Sequence, residues 1–151
     1  MIKYCKILPK HAKSLSELDT VCFSVPWSYE SFLKESKNPL AHYVVAEDGE
    51  KVVGYCGYWQ VADEGQITKI ADLPEYRRQK IAHKMLSLAI QNAKICGLFS
   101  LSLEVRESNS AAISLYEGFG FKRVGCRKNY YKSPNEAAVL MELNLKGQND
   151  G

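Results

Sequence analysis

The sequence predicts a mixed α/β fold, and three observations carry that expectation. SLSLEVR (100–106) alternates apolar and polar residues as a half-buried strand does. Segments 10–22 and 79–96 repeat apolar residues at helical spacing. Between AHYVVAE and KVVGYCGYWQVA, the Asp48-Gly49-Glu50 triplet is a hairpin signal. Read through, the order is β-α-α-β-β-β-α-β-α-β-β, a sheet antiparallel early with helical crossovers later. The 151 residues suit a single domain with its own core. Its expected extent is 1–145, with KGQNDG (146–151) as a disordered tail.

Each element has a local reason. IKYCKIL forms a first strand that Pro9 stops, and Ala12, Leu15, Leu18 and Val21/Cys22 then line one helical face. After the aromatic break FSVPW, Ser28 caps a short helix in SYESFLKES. GQITKIADL is a strand ended by Pro74. In the next helix Ile81, Met85, Leu88/Ala89 and Ala93 share a face, and Gly97 closes it. Asn109 or Ser110 starts the helix SAAISLYE, which Gly118 and Gly120 stop. FKRVGCR and AAVLMELNL are the last strands, joined through NYYKSPNE.

Composition narrows the function. With 46% hydrophobic and 25% charged residues, the chain has the profile of a soluble globular protein. A net charge of +3, with no long basic stripe, argues for acidic small molecules rather than direct nucleic-acid contact. The five cysteines are odd in number and never spaced as CxxC, which predicts buried free thiols in a reducing compartment. MIKYCKILPK has no secretory apolar core, and no apolar run reaches membrane-spanning length, so a cytoplasmic protein without a membrane partner is expected. His11, His42 and His83 lack ligand-spaced partners, and no metal site is expected.

The stretch EYRRQKIAHKML carries Arg77, Arg78 and Lys80 straight into a helix N-terminus, where free N–H groups and the helix dipole favour an anion. On charge alone a solvated basic turn is the favoured reading. Together with FSVPWS, ITKIADLPEYRRQKIAHKML, LEVRESNSAAISLYEGFGF (103–121) and RKNYY (127–131), it resembles the GNAT family of acetyl-CoA-dependent N-acetyltransferases. The likeness runs from about Ile2 to Leu145 and is greatest to the RimI type, which acetylates the N-terminal alanine of a small-subunit ribosomal protein.

The resemblance implies a central sheet splayed between its fourth and fifth strands, with acetyl-CoA as co-substrate in the split. Pantetheine would pair with Ile70, Ala71 and Asp72, and the pyrophosphate would rest on the loop Arg78, Gln79, Lys80, Ile81, Ala82 and His83. Asn109 and Tyr116 would approach from the other side. A neutral amine attacks the thioester carbonyl, and CoA leaves as a thiol. By resemblance Glu104 is the base that takes the amine proton and Tyr116 the acid that protonates sulfur, while strand N–H groups meet the oxyanion. An N-terminal amine, with a pKa roughly 2.5 units below lysine's, is deprotonated about 3.4 kcal/mol more cheaply at neutral pH. Phe23, Val25, Trp27, Tyr130 and Tyr131 are candidates for a peptide groove or for plain packing.

Three residues depart from the family pattern. Lys69 stands where asparagine is common, Asp72 where valine is, and Lys80 at the first glycine of the RxxGxG/A loop, whose last small residue is Ala82. A positive φ at Lys80 would cost roughly 1–2 kcal/mol. Asp72 would sit beside the thioester and oppose the oxyanion, and Lys69 would pair with Glu104 and make it a poorer base. Two other readings stay open: a GNAT-fold binding module with impaired cofactor binding, and an acetyltransferase for small-molecule amines.

Overall fold

The computed structural model describes residues 1–132 and 134–146, with the side chain of Arg78 left out. Seven strands form one sheet in the order β1-β2-β3-β4-β5-β7-β6: β1 (Ile2–Lys6), β2 (Ala41–Asp48), β3 (Lys51–Val61), β4 (Glu64–Asp72), β5 (Ser100–Arg106), β6 (Lys122–Lys132) and β7 (Asn135–Asn144). Four α-helices flank it: α1 (Ala12–Cys22), α2 (Tyr29–Lys37), α3 (Ile81–Ile95) and α4 (Ser110–Gly118). The expected order holds throughout. Of the expected disordered tail, residues 147–151 lie outside the described residues. No helix among the described residues is long and apolar enough to cross a membrane.

Strands β1 to β4 run antiparallel, and the β2–β3 turn places Gly49 at φ 63°, where a Cβ would be strained. Helix α3 presents Ile81, Met85, Leu86, Ala89, Ile90 and Ala93 to the core. It ends as its sequence suggests: Gly97 at φ 78° lets its own N–H reach Lys94 O, and Leu98 N–H reach Ala93 O, both at 3.0 Å. Tyr43 is buried with its ring lying where a Cβ on Gly57 would be, 2.2 Å from two ring carbons. Gly57 is therefore what lets the aromatic cross the sheet.

The parallel pairing of β4 with β5 covers only Glu64–Gln66 against Ser100–Ser102. Beyond it β5 pairs solely with β7, while β4 continues beside β3 through Asp72. The sheet thus splays between its fourth and fifth strands, as expected.

Three expectations need correction. On α1, Val21 of the expected apolar face is exposed and Cys22 only half-buried, while Asp19 turns inward, where its carboxylate finds polar partners. Strands β6 and β7 absorb most of NYYKSPNE, since Tyr131 pairs with Glu136 and Lys132 with Asn135. All five cysteines are free, but only Cys56 is buried; Cys96 and Cys126 are exposed on the outer turns of α3 and on the edge strand β6. Apolar neighbours in sequence do not fix which side of an element faces the core.

Candidate active site

The splay leaves β4 from Ile67 to Asp72 without a β5 partner, so its backbone groups on that side form an open edge inside the sheet. Ile70, Ala71 and Asp72 all lie on this edge, paired on the other side with Cys56, Tyr55 and Gly54. An extended ligand bearing amides can complete such a ladder, and pantetheine has that character.

The edge leads into a 3-10 turn, Pro74–Gln79, and then into α3. Tyr76 OH donates to Asp48 at 2.7 Å and ties the turn to the β2–β3 hairpin. Lys80 occupies the left-handed region, φ 58° and ψ 31°, so the residue at the glycine position does adopt the backbone that glycine would favour. The first helical bond is Lys84 N–H to Lys80 O, which leaves the amides of Ile81, Ala82 and His83 ahead of it at the helix N-terminus. Ile81 buries its side chain and offers the loop only its backbone, whereas Gln79, Lys80 and His83 are exposed. His83 packs on Phe119 at the end of α4, with ring centroids 4.6 Å apart. Asn109 caps α4 by accepting from Ala112 N–H at 3.1 Å, which leaves its amide NH₂ free to donate.

A cavity of about 240 Å³ lies at the splay, lined by Trp27, Trp59, Gln66, Ile67, Thr68, Glu104, Tyr130 and Tyr131. Glu104 is half-buried on β5. Its Oε1 accepts from Tyr130 OH at 2.9 Å, and its Oε2 meets Arg127 Nε at 3.3 Å. Burial, then the Glu104 charge, pushes Tyr131 up to about 12. Trp27 and Trp59 stack with centroids 6.5 Å apart, and Trp59 Nε1 donates to Glu35 at 2.5 Å.

Tyr116 is not part of that lining; it sits buried on α4 with its ring edge against Phe121. Burial raises its pKa well above an ordinary phenol's, so it keeps its proton at physiological pH. Of the peptide-groove candidates, Trp27, Tyr130 and Tyr131 reach the cavity, Phe23 lies outside its lining against Lys69, and Val25 is three-quarters exposed. Trp59 and Arg127 were missed. Trp59 had no signal beyond its strand position, while Arg127 stood inside RKNYY and alternates onto the face that Tyr131 also uses.

Lys69 does not pair with Glu104. The β3–β4 register slips beside Thr68, so that Thr68 and Lys69 both reach the α1–α2 side. Thr68 Oγ1 meets Tyr43 OH at 3.0 Å, and Lys69 Nζ meets Asp19 Oδ2 at 2.6 Å. Burial lowers the Lys69 pKa against the opposing pull of Asp19. The Asp72 carboxylate is half-buried and held by Arg77 Nε at 3.3 Å; burial raises its pKa, and Arg77 partly offsets this.

The fold also gathers a group that spacing did not reveal. Cys5 Sγ, His11 Nε2 and a Glu47 carboxylate oxygen lie within 4.8 Å of one another. His11 Nδ1 accepts from Leu8 N–H at 2.9 Å, so the neutral ring carries its proton on Nε2 and donates it to Glu47 at 3.2 Å. That tautomer leaves no lone pair for a cation at Nε2.

Comparison with known proteins agrees with this geometry. The model of the acetyltransferase (GNAT) family matches residues 12–121. A Bacillus subtilis (strain 168) protein, provisionally named a ribosomal protein bS18-alanine N-acetyltransferase, is 44% identical over 85% of this chain and 86% of its own length. The Escherichia coli (strain K12) protein named ribosomal protein bS18-alanine N-acetyltransferase is 34% identical over 78% of this chain and 80% of its own. The crystal structure of the ribosomal-protein-S18-alanine N-acetyltransferase from Escherichia coli superposes with a TM-score of 0.89 at 28% identity, covering 96% of this chain and 94% of that one.

Proposed function

The chain belongs to the GNAT acetyltransferase family, and from that premise we propose that it transfers an acetyl group from acetyl-CoA to the N-terminal alanine amine of ribosomal protein bS18 in the cytoplasm, acting as one domain over 1–145. The observation that carries this reading is the open β4 edge beside a cavity holding a single carboxylate, Glu104, between aromatic walls.

In this reading Ile70, Ala71 and Asp72 pair with pantetheine, and the amides of Gln79 to His83, with Arg78 and Lys80, receive the pyrophosphate. Asn109 donates from α4. Glu104 takes the proton as the amine nitrogen bonds to the carbonyl carbon. When the tetrahedral intermediate collapses, the carbon–sulfur bond breaks and Tyr116 protonates the sulfur. Arg127 and Tyr130 hold the Glu104 carboxylate in place, and the exposed Arg127 can yield to an incoming amine. A single carboxylate suits an α-amine better than a lysine, since the latter needs about 3.4 kcal/mol more for deprotonation.

The test is turnover of acetyl-CoA with a peptide of the bS18 N-terminus, with the same peptide acetylated in advance, and with polyamines, read by mass spectrometry. Modification confined to the free N-terminal amine is expected, and Glu104→Gln should lower its rate by about 10²–10⁴ while acetyl-CoA still binds. Turnover of polyamines alone, or full activity in Glu104→Gln, would overturn the reading.

A further inference from the structure

The segment Phe23–Trp27 joins α1 to α2 without helix or strand, so side-chain contacts must set its path. One buried carboxylate does most of this. Asp19, with no exposed surface, accepts from Trp27 N–H at 2.8 Å and from Lys69 Nζ at 2.6 Å through Oδ2, and from Tyr55 OH at 2.5 Å through Oδ1. The Lys69 ammonium lies 4.4 Å from the Phe23 ring centroid and 4.5 Å from that of Trp27, close enough to both for cation–π attraction. Trp27 in turn stacks on Trp59, and both line the cavity that contains Glu104.

We propose that Lys69 and Asp19 are positioning residues: their ion pair clamps the Phe23–Trp27 segment to β4 and fixes the Trp27–Trp59 wall on which the acceptor docks. The inference deepens the function proposed above, since it assumes that this wall receives the acceptor. It gives the lysine at an asparagine position a task, joining the loop between α1 and α2 to the strand that edges the splay. Among the described residues Lys69 is the one cation paired with Asp19, so its removal leaves a buried carboxylate without counter-charge and frees the segment.

The experiment compares the parent with Lys69→Met and with Lys69→Met/Asp19→Asn, the second variant leaving no unpaired buried charge that might prevent folding. The chain's only two tryptophans are Trp27 and Trp59, so near-ultraviolet circular dichroism reports directly on the wall. Expected are a rise of about tenfold in KM for the acceptor peptide, acetyl-CoA affinity within about twofold by calorimetry, and a weakened tryptophan signal in both variants. An unchanged acceptor KM with an unchanged spectrum would overturn the clamp, as would a loss of acetyl-CoA affinity equal to that for the peptide. If the parent fails to acetylate the peptide, the functional reading falls instead, and the spectrum alone decides the clamp.

Discussion

Replacing Lys80 by glycine, with alanine as the control, isolates the backbone at the turn that enters α3. Lys80 lies at φ 58° and ψ 31°, a conformation that costs an L-residue about 1–2 kcal/mol. Glycine removes that cost but loses more freedom on folding, about 0.5–1 kcal/mol. The difference predicts that Lys80→Gly stabilises the protein by about 0.5–1 kcal/mol, or roughly 1–4 °C in Tm for a chain of this size. Lys80→Ala keeps the Cβ and the strain, and should change stability by less than about 0.3 kcal/mol. Urea unfolding of the three proteins measures both differences. Both substitutions also remove the ammonium proposed to meet the pyrophosphate, so acetyl-CoA affinity should fall by about tenfold, and to a similar extent, in Lys80→Gly and Lys80→Ala. A Lys80→Gly protein that is less stable than the parent, or a Lys80→Ala protein that gains as much, would refute the reasoning.

Three further outcomes follow from burial. A Cβ at position 57 would lie 2.2 Å from the Tyr43 ring, which cannot swing aside while its OH bonds Glu35 and Thr68 at 2.6 and 3.0 Å. Gly57→Ala should cost at least about 2 kcal/mol, and an unchanged urea midpoint would show that the ring is free to move. Native-state alkylation should label Cys96 and Cys126 first and Cys56 only on unfolding; early loss of the Cys56 thiol would contradict its burial. Burial pushes that thiol from 9.0 up to about 12. The unfolded chain then releases the proton first, so stability is complete below pH 9 and falls as pH rises toward 12, by about 1.4 kcal/mol per unit while the two states differ by one proton.

What the sequence determined by itself was local or carried by short ordered motifs. Helical spacing marked α3, and Gly97 its end. Ser28 marked the cap of α2, and its side chain accepts from Ser31 N at 3.1 Å; the sequence offered Asn109 or Ser110 for α4, and Asn109 is the cap, accepting from Ala112 N at 3.1 Å. The left-handed residue at position 80 was legible only through the family resemblance, which sets a glycine of the RxxGxG/A loop at that position. The tertiary structure decided the rest. No spacing signal singles out Asp19, which Lys69, fifty positions away, and Tyr55 meet inside the fold. Lys69 reaches α1 rather than Glu104 only because the β4 register slips by one residue and turns its side chain over. Glu104 acquires Arg127 and Tyr130 through β7, which inserts between β5 and β6 and brings their strands to one groove. Spacing along the chain fixes which face a residue shares with its neighbours; only strand order and register fix which charge it meets across the fold.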